Sequence, residues 1–251
     1  MLAMAVAFSG FSSAASVVVN ATDVIYAAGT QSGEAATAGG TVPAAIIPIN
    51  GGSTIVFTSV QGSITTGCAS MEGCITVDSS TTPVNYNNPD GVGGLPAATF
   101  SGTSSSSTGF GSVSSITGPG AGYLVGVFLT TGGPSGSAPP ALNFVSGTPG
   151  NITFSVLAPA LNQTFFIGDG LSGARFIAPG GATSLVLGIS DSCNYTGAPG
   201  CYGDNLGTFT ANYTITLPSI PVPPSILLTL VGLACGAMFL GYRGLSMRGN
   251  A

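Results

Sequence analysis

Charged side chains are so scarce in this chain that those able to do chemistry can be taken one at a time. Lys and Arg number 3, Asp and Glu 8, and His is absent. The most suggestive group lies late in the sequence. Leu185 to Asp191 reads LVLGISD and Gly203 to Phe209 reads GDNLGTF, with a Gly- and Cys-containing loop between them. The first segment has the make-up of a strand ending at Asp191, and the second leads from Asp204-Asn205 into a strand at Thr208. If the two strands pair, Asp191, Asp204 and Asn205 converge at one loop end. Carboxylate, amide and backbone carbonyl oxygens are the hard ligands that Ca²⁺ takes. The same residues also make ordinary turns, which Asp-Asn-x-Gly sequences often do.

The rest of the composition narrows the chemistry. Without His, the commonest general base and metal ligand is missing, and no Ser–His–Asp triad is available. No Gly-x-Ser-x-Gly elbow and no phosphate-binding Gly-rich loop occurs. An enzyme is therefore disfavoured. The three cations are Arg175, Arg243 and Arg248, and the net charge is −5, so there is no basic footprint for nucleic acid. Asp169, within Gly168-Asp169-Gly170, reads as a turn residue. Glu34 and Glu72 lie in loop-like sequence and read as solvated. Asn-x-Ser/Thr occurs at Asn20, Asn151, Asn162, Asn194 and Asn212, but Thr is abundant and such sites matter only in a host that glycosylates.

Four of the five cysteines fall into close pairs, Cys68/Cys74 and Cys193/Cys201. In an oxidising compartment each pair is able to staple a loop, adding roughly 2–3 kcal/mol by chain entropy. Four thiolates are also a zinc set, although neither spacing is Cys-x₂-Cys. Cys235 lies inside an apolar run and is expected to stay unpaired.

The elements that must position these residues read as strands. Val, Ile, Thr and Phe are common, Gly numbers 40, and helical periodicity is absent, which favours strands joined by turns. Ser16 to Val19 forms a first strand that Asp23 to Ala27 continues, and Gly29 to Gly40 is a loop. Val42 to Ile49, broken by Pro43 and Pro48, is an edge strand or linker. Ser53 to Val60 is a core strand, and Gly122 to Thr130 a buried one. Asn151–Leu157, Gln163–Ile167, Ala174–Ala178 and Leu185–Ile189 follow. Thr208 to Leu217 alternates, with Phe209, Ala211, Tyr213, Ile215 and Leu217 on one face. Ser79 to Gly122 is low in complexity and reads as a long excursion. About eight or nine short strands make an all-β fold, a jelly-roll-like β-sandwich over residues 16–217, the natural architecture.

The two ends read differently. Residues 1–15 (MLAMAVAFSGFSSAA) are apolar and then small, and fit a signal peptide cleaved after Ala15, although the basic start of such peptides is missing; the alternative is a buried first strand or helix. Residues 218–225 hold four prolines, at 218, 221, 223 and 224, and form a stiff spacer. Residues 226–242 are 17 uncharged residues, at the short end for a transmembrane helix. Arg243 and Arg248, in the tail 243–251, place that end in the cytoplasm by the positive-inside rule.

Two resemblances follow from these motifs. Gly188, Asp191, Asp204, Asn205, Gly207 and Phe209 are similar to the Gly-x-x-Asp, Asn/Asp pair and x-Gly-x-Phe pattern of bacterial calcium-dependent galactophilic lectins of the PA-I type. Val60 to Gly67 resembles the loop of that family that gives a backbone carbonyl to the metal, with Thr66 in that place. Asn88-Pro89-Asp90-Gly91 and Gly122 to Gly126 resemble two further segments. The resemblance implies a β-sandwich and a Ca²⁺ site built from Asp191, Asp204, Asn205 and Thr66. Here the loop between Asp191 and Asp204 is longer and carries a Cys pair. The sugar-contacting His has no counterpart, which puts galactose in doubt.

The tail resembles the PEP-CTERM sorting signal. Val222-Pro223-Pro224-Ser225, then Leu227-Leu228, Gly232-Leu233 and the terminal Arg pair match in order and spacing, with Glu missing between the prolines. This implies recognition by an exosortase-type sorting machinery at the membrane, with cleavage near the prolines. Together these expectations describe an exported, non-catalytic surface protein of a Gram-negative bacterium. It either faces exopolysaccharide or other glycans with calcium, or serves purely as a structural matrix component.

Overall fold

The computed structural model describes residues 12–29, 32–66, 88–91, 112–118, 122–144, 153–193 and 197–218. The strands are β1 (Ser12–Asn20), β2 (Ile46–Pro48), β3 (Thr54–Thr65), β4 (Ile116–Thr117), β5 (Tyr123–Leu129), β6 (Leu142–Asn143), β7 (Val156–Leu157), β8 (Thr164–Phe166), β9 (Arg175–Ile177), β10 (Ser184–Ser190) and β11 (Leu206–Thr216). One short helix, α1 (Ser32–Thr37), lies between β1 and β2. The unit Ser12–Leu217 is an all-β sandwich. One sheet has the order β1-β11-β3-β9-β7 and the other β2-β10-β5-β8, with β4 and β6 a separate small pair. All ladders are antiparallel except β7–β9 and β4–β6.

The pattern of side chains explains this layering. In β11, Phe209, Ala211 and Tyr213 turn inward while Thr and Asn between them reach the outer face, as alternation requires. Leu217 lies beyond the strand and is 40% exposed. The ladder between β11 and β3 shifts register between Asn212 and Tyr213, leaving Thr58 as the extra residue of a bulge. By contrast β5 is buried along its whole length and β10 along all but its first residue. Their continuous apolar runs fit strands covered on both faces, and part of the cover over β10 is the segment after β1, whose Asp23 carbonyl and Ile25 lie against Gly188. The core between the sheets is rich in aromatic rings. Phe57 and Phe176 meet edge to face at 5.8 Å, Phe165 lies 5.2 Å from Phe176, and Phe128 stacks on Phe165 at 5.1 Å. Such pairs add about 0.5–1.5 kcal/mol beyond burial.

Several expectations change. Asp23 to Ala27 does not extend β1: it forms two bridge residues and a 3₁₀ turn (Ile25–Ala27) crossing between the sheets. The expected loop Gly29 to Gly40 contains α1, a single helical turn and a half too short for its Ala-rich period to show. Glu34 belongs to that helix and is half-buried rather than solvated. Val60 to Thr65 is not a loop, because β3 runs on to Thr65. β4 and β6 are two-residue strands with no pattern to announce them. β1 starts at Ser12, so Ser12 to Ala15, assigned above to a signal peptide, pair with Thr216 to Tyr213. The edge position of β2 agrees with Pro48 within it and Pro43 before it. Among the described residues no helix is long and apolar enough to cross a membrane; the expected span 226–242 lies outside them.

Candidate functional site

The residues singled out for metal binding gather at one end of the sandwich, although not by the route expected. β10 and β11 do not pair; they belong to different sheets. Asp191 follows the last residue of β10, in the four-stranded sheet. Asp204 ends a 3₁₀ turn (Tyr202–Asp204), and Asn205 links that turn to β11 in the five-stranded sheet. The loop between them folds back and is closed by a disulfide between Cys193 and Cys201, whose Cα atoms are 5.1 Å apart. That bridge fulfils one of the two expected pairs and removes two thiolates from any zinc set. Cys68 and Cys74 lie outside the described residues, as do Cys235, Val222, Pro223, Pro224, Ser225, Arg243 and Arg248.

A hydrogen-bonded latch joins the sheets. Asn205 Nδ2 donates to Asp191 Oδ2 at 2.9 Å and to the carbonyl of Ala21, just past β1, at 3.1 Å. The other carboxylate oxygen, Asp191 Oδ1, accepts the amide of Ser192 at 2.8 Å. Asp191 is 5% exposed and Asn205 2%. Burial pushes the Asp191 carboxyl up to about 7; the hydrogen bonds from Asn205 and Ser192 oppose the shift, and the nearby charge of Asp204 adds to it. Thr66 lies one residue past the Thr65–Leu206 pair that ends the β3–β11 ladder, beside Asn205, and is buried.

Backbone close approach explains two glycines of the pattern. A Cβ on Gly188 would lie 2.9 Å from the carbonyl of Asp23 and 3.1 Å from Ile25 Cα, because the Asp23–Ala27 crossing runs directly over β10. Gly207 has φ +98°, which L side chains rarely adopt.

The oxygens left over decide what the latch could hold. Asp204 Oδ1, Asn205 Oδ1 and Ser192 Oγ are buried and have no hydrogen-bond partner. Orphaned buried oxygens ask for an explanation, and a bound ion is one of the recognised ones. Among the described residues no three His, Cys, Asp or Glu side chains come together as a metal set. The side chains here are two carboxylates, an amide and a hydroxyl, oxygen donors of the kind Ca²⁺ takes and unsuited to zinc. Asp191, Asp204 and Asn205 would hold such an ion with the Thr66 carbonyl, and the ion would supply the positive charge that the latch lacks.

Sequence reading missed the polar residues beneath the site. Tyr202 OH donates to the carbonyl of Ile189 at 2.8 Å and accepts the amide of Asp191 at 2.9 Å. Tyr26 OH pairs with Ser190 Oγ at 2.8 Å. Asp23 is buried, with its carboxylate accepting the amide of Asn20 at 2.8 Å and the Thr41 hydroxyl at 3.1 Å. No spacing in the chain links Tyr26 to Ser190 or Asp23 to Thr41; only the crossing of the Asp23–Ala27 segment brings them together.

Comparison with protein-family models, with curated proteins and with solved structures found no match.

Proposed function

We propose that this chain is an exported, surface-displayed, non-catalytic β-sandwich of jelly-roll type that binds calcium at the Asp191–Asn205 end and faces carbohydrate. The observation that carries the reading is the inter-sheet latch with three buried, unpartnered oxygens beside it. A divalent cation at this end would give such oxygens a partner and offset the charge of the two carboxylates. In this reading residues 226–242 span the membrane in a precursor. The Val222-Pro223-Pro224-Ser225 motif is read by an exosortase-type machinery, and Arg243 and Arg248 orient the anchor. Support for that part is the order and spacing of the tail motifs.

The test is thermal melting of the full chain with and without CaCl₂, wild type against Asp191→Ala. Wild type is expected to gain about 2.7 kcal/mol when calcium is present at a hundred times its Kd, and the variant to gain nothing. A wild-type melting temperature indifferent to calcium would sink the site.

A second reading is a purely structural matrix protein. The observation in its favour is that both Asp191 oxygens already have donors from the chain itself, as a latch without a ligand requires. A glycan array separates the two: calcium-dependent binding supports the first, and silence favours the second. Mass spectrometry of the mature chain tests the fate of residues 1–15 and 218–251.

A further inference from the structure

The geometry points to Tyr202 as the residue that positions the metal-binding oxygens, a role that rests on the calcium reading above. Tyr202 supplies none of those oxygens itself. Its hydroxyl grips the chain on both sides of Ser190, donating to the Ile189 carbonyl and accepting the Asp191 amide. Where β10 stops and Asp191 turns inward is thereby set by one phenol. The backbone of the same residue holds the opposite arm. Its carbonyl accepts the amide of Asn205 at 3.2 Å, and its amide donates to the carbonyl of Ala38, just past α1, at 3.1 Å.

Two further features keep Tyr202 in place. Its ring is completely buried, and it sits where Gly40 leaves room: a Cβ on Gly40 would lie 2.7 Å from Tyr202 Cβ. The residue before it, Cys201, is tied to Cys193, two residues beyond Asp191. The phenol and the disulfide therefore span the same gap, between the arm carrying Asp191 and the arm carrying Asp204 and Asn205. Phe would fill the same volume but leave a buried amide and a buried carbonyl without their shared partner.

Residues that orient metal ligands typically change affinity by about 10–100-fold when altered. Tyr202→Phe in the full chain is expected to weaken CaCl₂ binding by that factor in isothermal titration calorimetry. Tyr26→Phe is the control: it deletes the neighbouring hydroxyl that pairs with Ser190 and leaves the Asp191 amide untouched. It is expected to lower the metal-free melting temperature and leave the affinity unchanged. If Tyr202→Phe lowers the melting temperature but keeps wild-type affinity, Tyr202 is merely structural and the positioning role is overturned. Should that variant fail to show folded near-UV dichroism, wild type with its disulfide reduced by a dithiol tests the same span. Weakened calcium binding then supports the role, and unchanged binding overturns it. A wild-type chain that takes up no calcium overturns the calcium reading, and the positioning role with it.

Discussion

Two acidic clusters among the described residues of the sandwich show what burial does to the same residue types. One is the Asp191–Asp204–Asn205 end described above. The other joins the turn Asn88–Gly91 to the turn around Asp169. There Asp90 Oδ1 accepts the amide of Asp169 at 2.8 Å, Asp169 Oδ1 accepts the amide of Leu171 at 2.9 Å, and Asn88 Oδ1 accepts the amide of Asp90 at 3.1 Å. Each cluster holds two Asp and one Asn, and each ties together segments distant in sequence. The second is spent on turn geometry: its oxygens cap backbone amides, and Asn88 and Asp169 are exposed. In the first, Asp191 and Asn205 are buried, Asp204 is half-buried, and buried oxygens are left to spare. Composition alone does not separate a turn from a cation site; the supply of backbone amides and the access of water do.

The comparison breaks most visibly at the two Asn residues. Asn205→Ala removes a donor shared by Asp191 and Ala21 and strands both buried acceptors. Each such acceptor costs about 1–3 kcal/mol, so a loss of about 2–6 kcal/mol in denaturant unfolding is expected, with no calcium response left. Asn88→Ala loses the bond to the Asp90 amide at an exposed turn, worth about 0.5–1.5 kcal/mol, and keeps the calcium response intact. Equal losses at both positions would mean that the clusters do not differ in kind.

Reduction of the Cys193–Cys201 bridge comes next. Its short loop is worth roughly 2–3 kcal/mol in chain entropy. Chemical denaturation with and without a dithiol is expected to show a loss of that size.

A pH profile sharpens the contrast further. In metal-free protein the Asp191 carboxyl is raised from its ordinary 3.8 to about 7, first by burial. The folded state then holds the proton more tightly than the unfolded chain. The stability this contributes is full below about 3.8, declines as pH rises, and is gone above about 7. Asp191→Asn is expected to flatten the upper part of that decline. Asp23 and Asp90, also raised chiefly by burial, contribute in the same sense and remain. Calcium reverses the trend, because the ion needs the carboxylate ionised: affinity should rise with pH up to about 7 and binding should release protons. A calorimetric titration in two buffers of different ionisation enthalpy measures that release.

An effect as small as that of Asn88→Ala is expected for Asp169→Ala. It loses a bond to Leu171 at an exposed turn, worth about 0.5–1.5 kcal/mol, and should leave calcium-dependent melting unchanged.

Much of this layout was legible because strands advertise themselves by composition. The alternation of β11, the apolar runs of β5 and β10, and the prolines at 43 and 48 around β2 marked these segments as strands, with β2 an edge strand or linker, but not which sheet each joins. The convergence of Asp191 with Asp204 and Asn205 was also legible, though for a different reason than the observed one. Local pattern suggested a paired hairpin, whereas the residues meet across the sandwich, a relation set by sheet order and not by neighbouring sequence. The network of Tyr26, Ser190 and Tyr202 was illegible on the same ground. Its members are joined by the segment Asp23–Ala27, whose apolar residues looked like more strand but cross between the sheets. α1 escaped because one and a half turns leave too little periodicity to read.

The place of β11 has a further consequence for how the chain assembles. It is the last described strand in sequence, yet it lies between β1 and β3. As the chain is made, β1 and β3 have no direct pairing with each other and wait for Leu206–Thr216 to fill the space between them. Loop closure over so many residues must precede the contacts that reward it, which slows folding and leaves strand edges open meanwhile. Asn205 arrives immediately before that strand, so the site takes shape only in the step that completes the sheet.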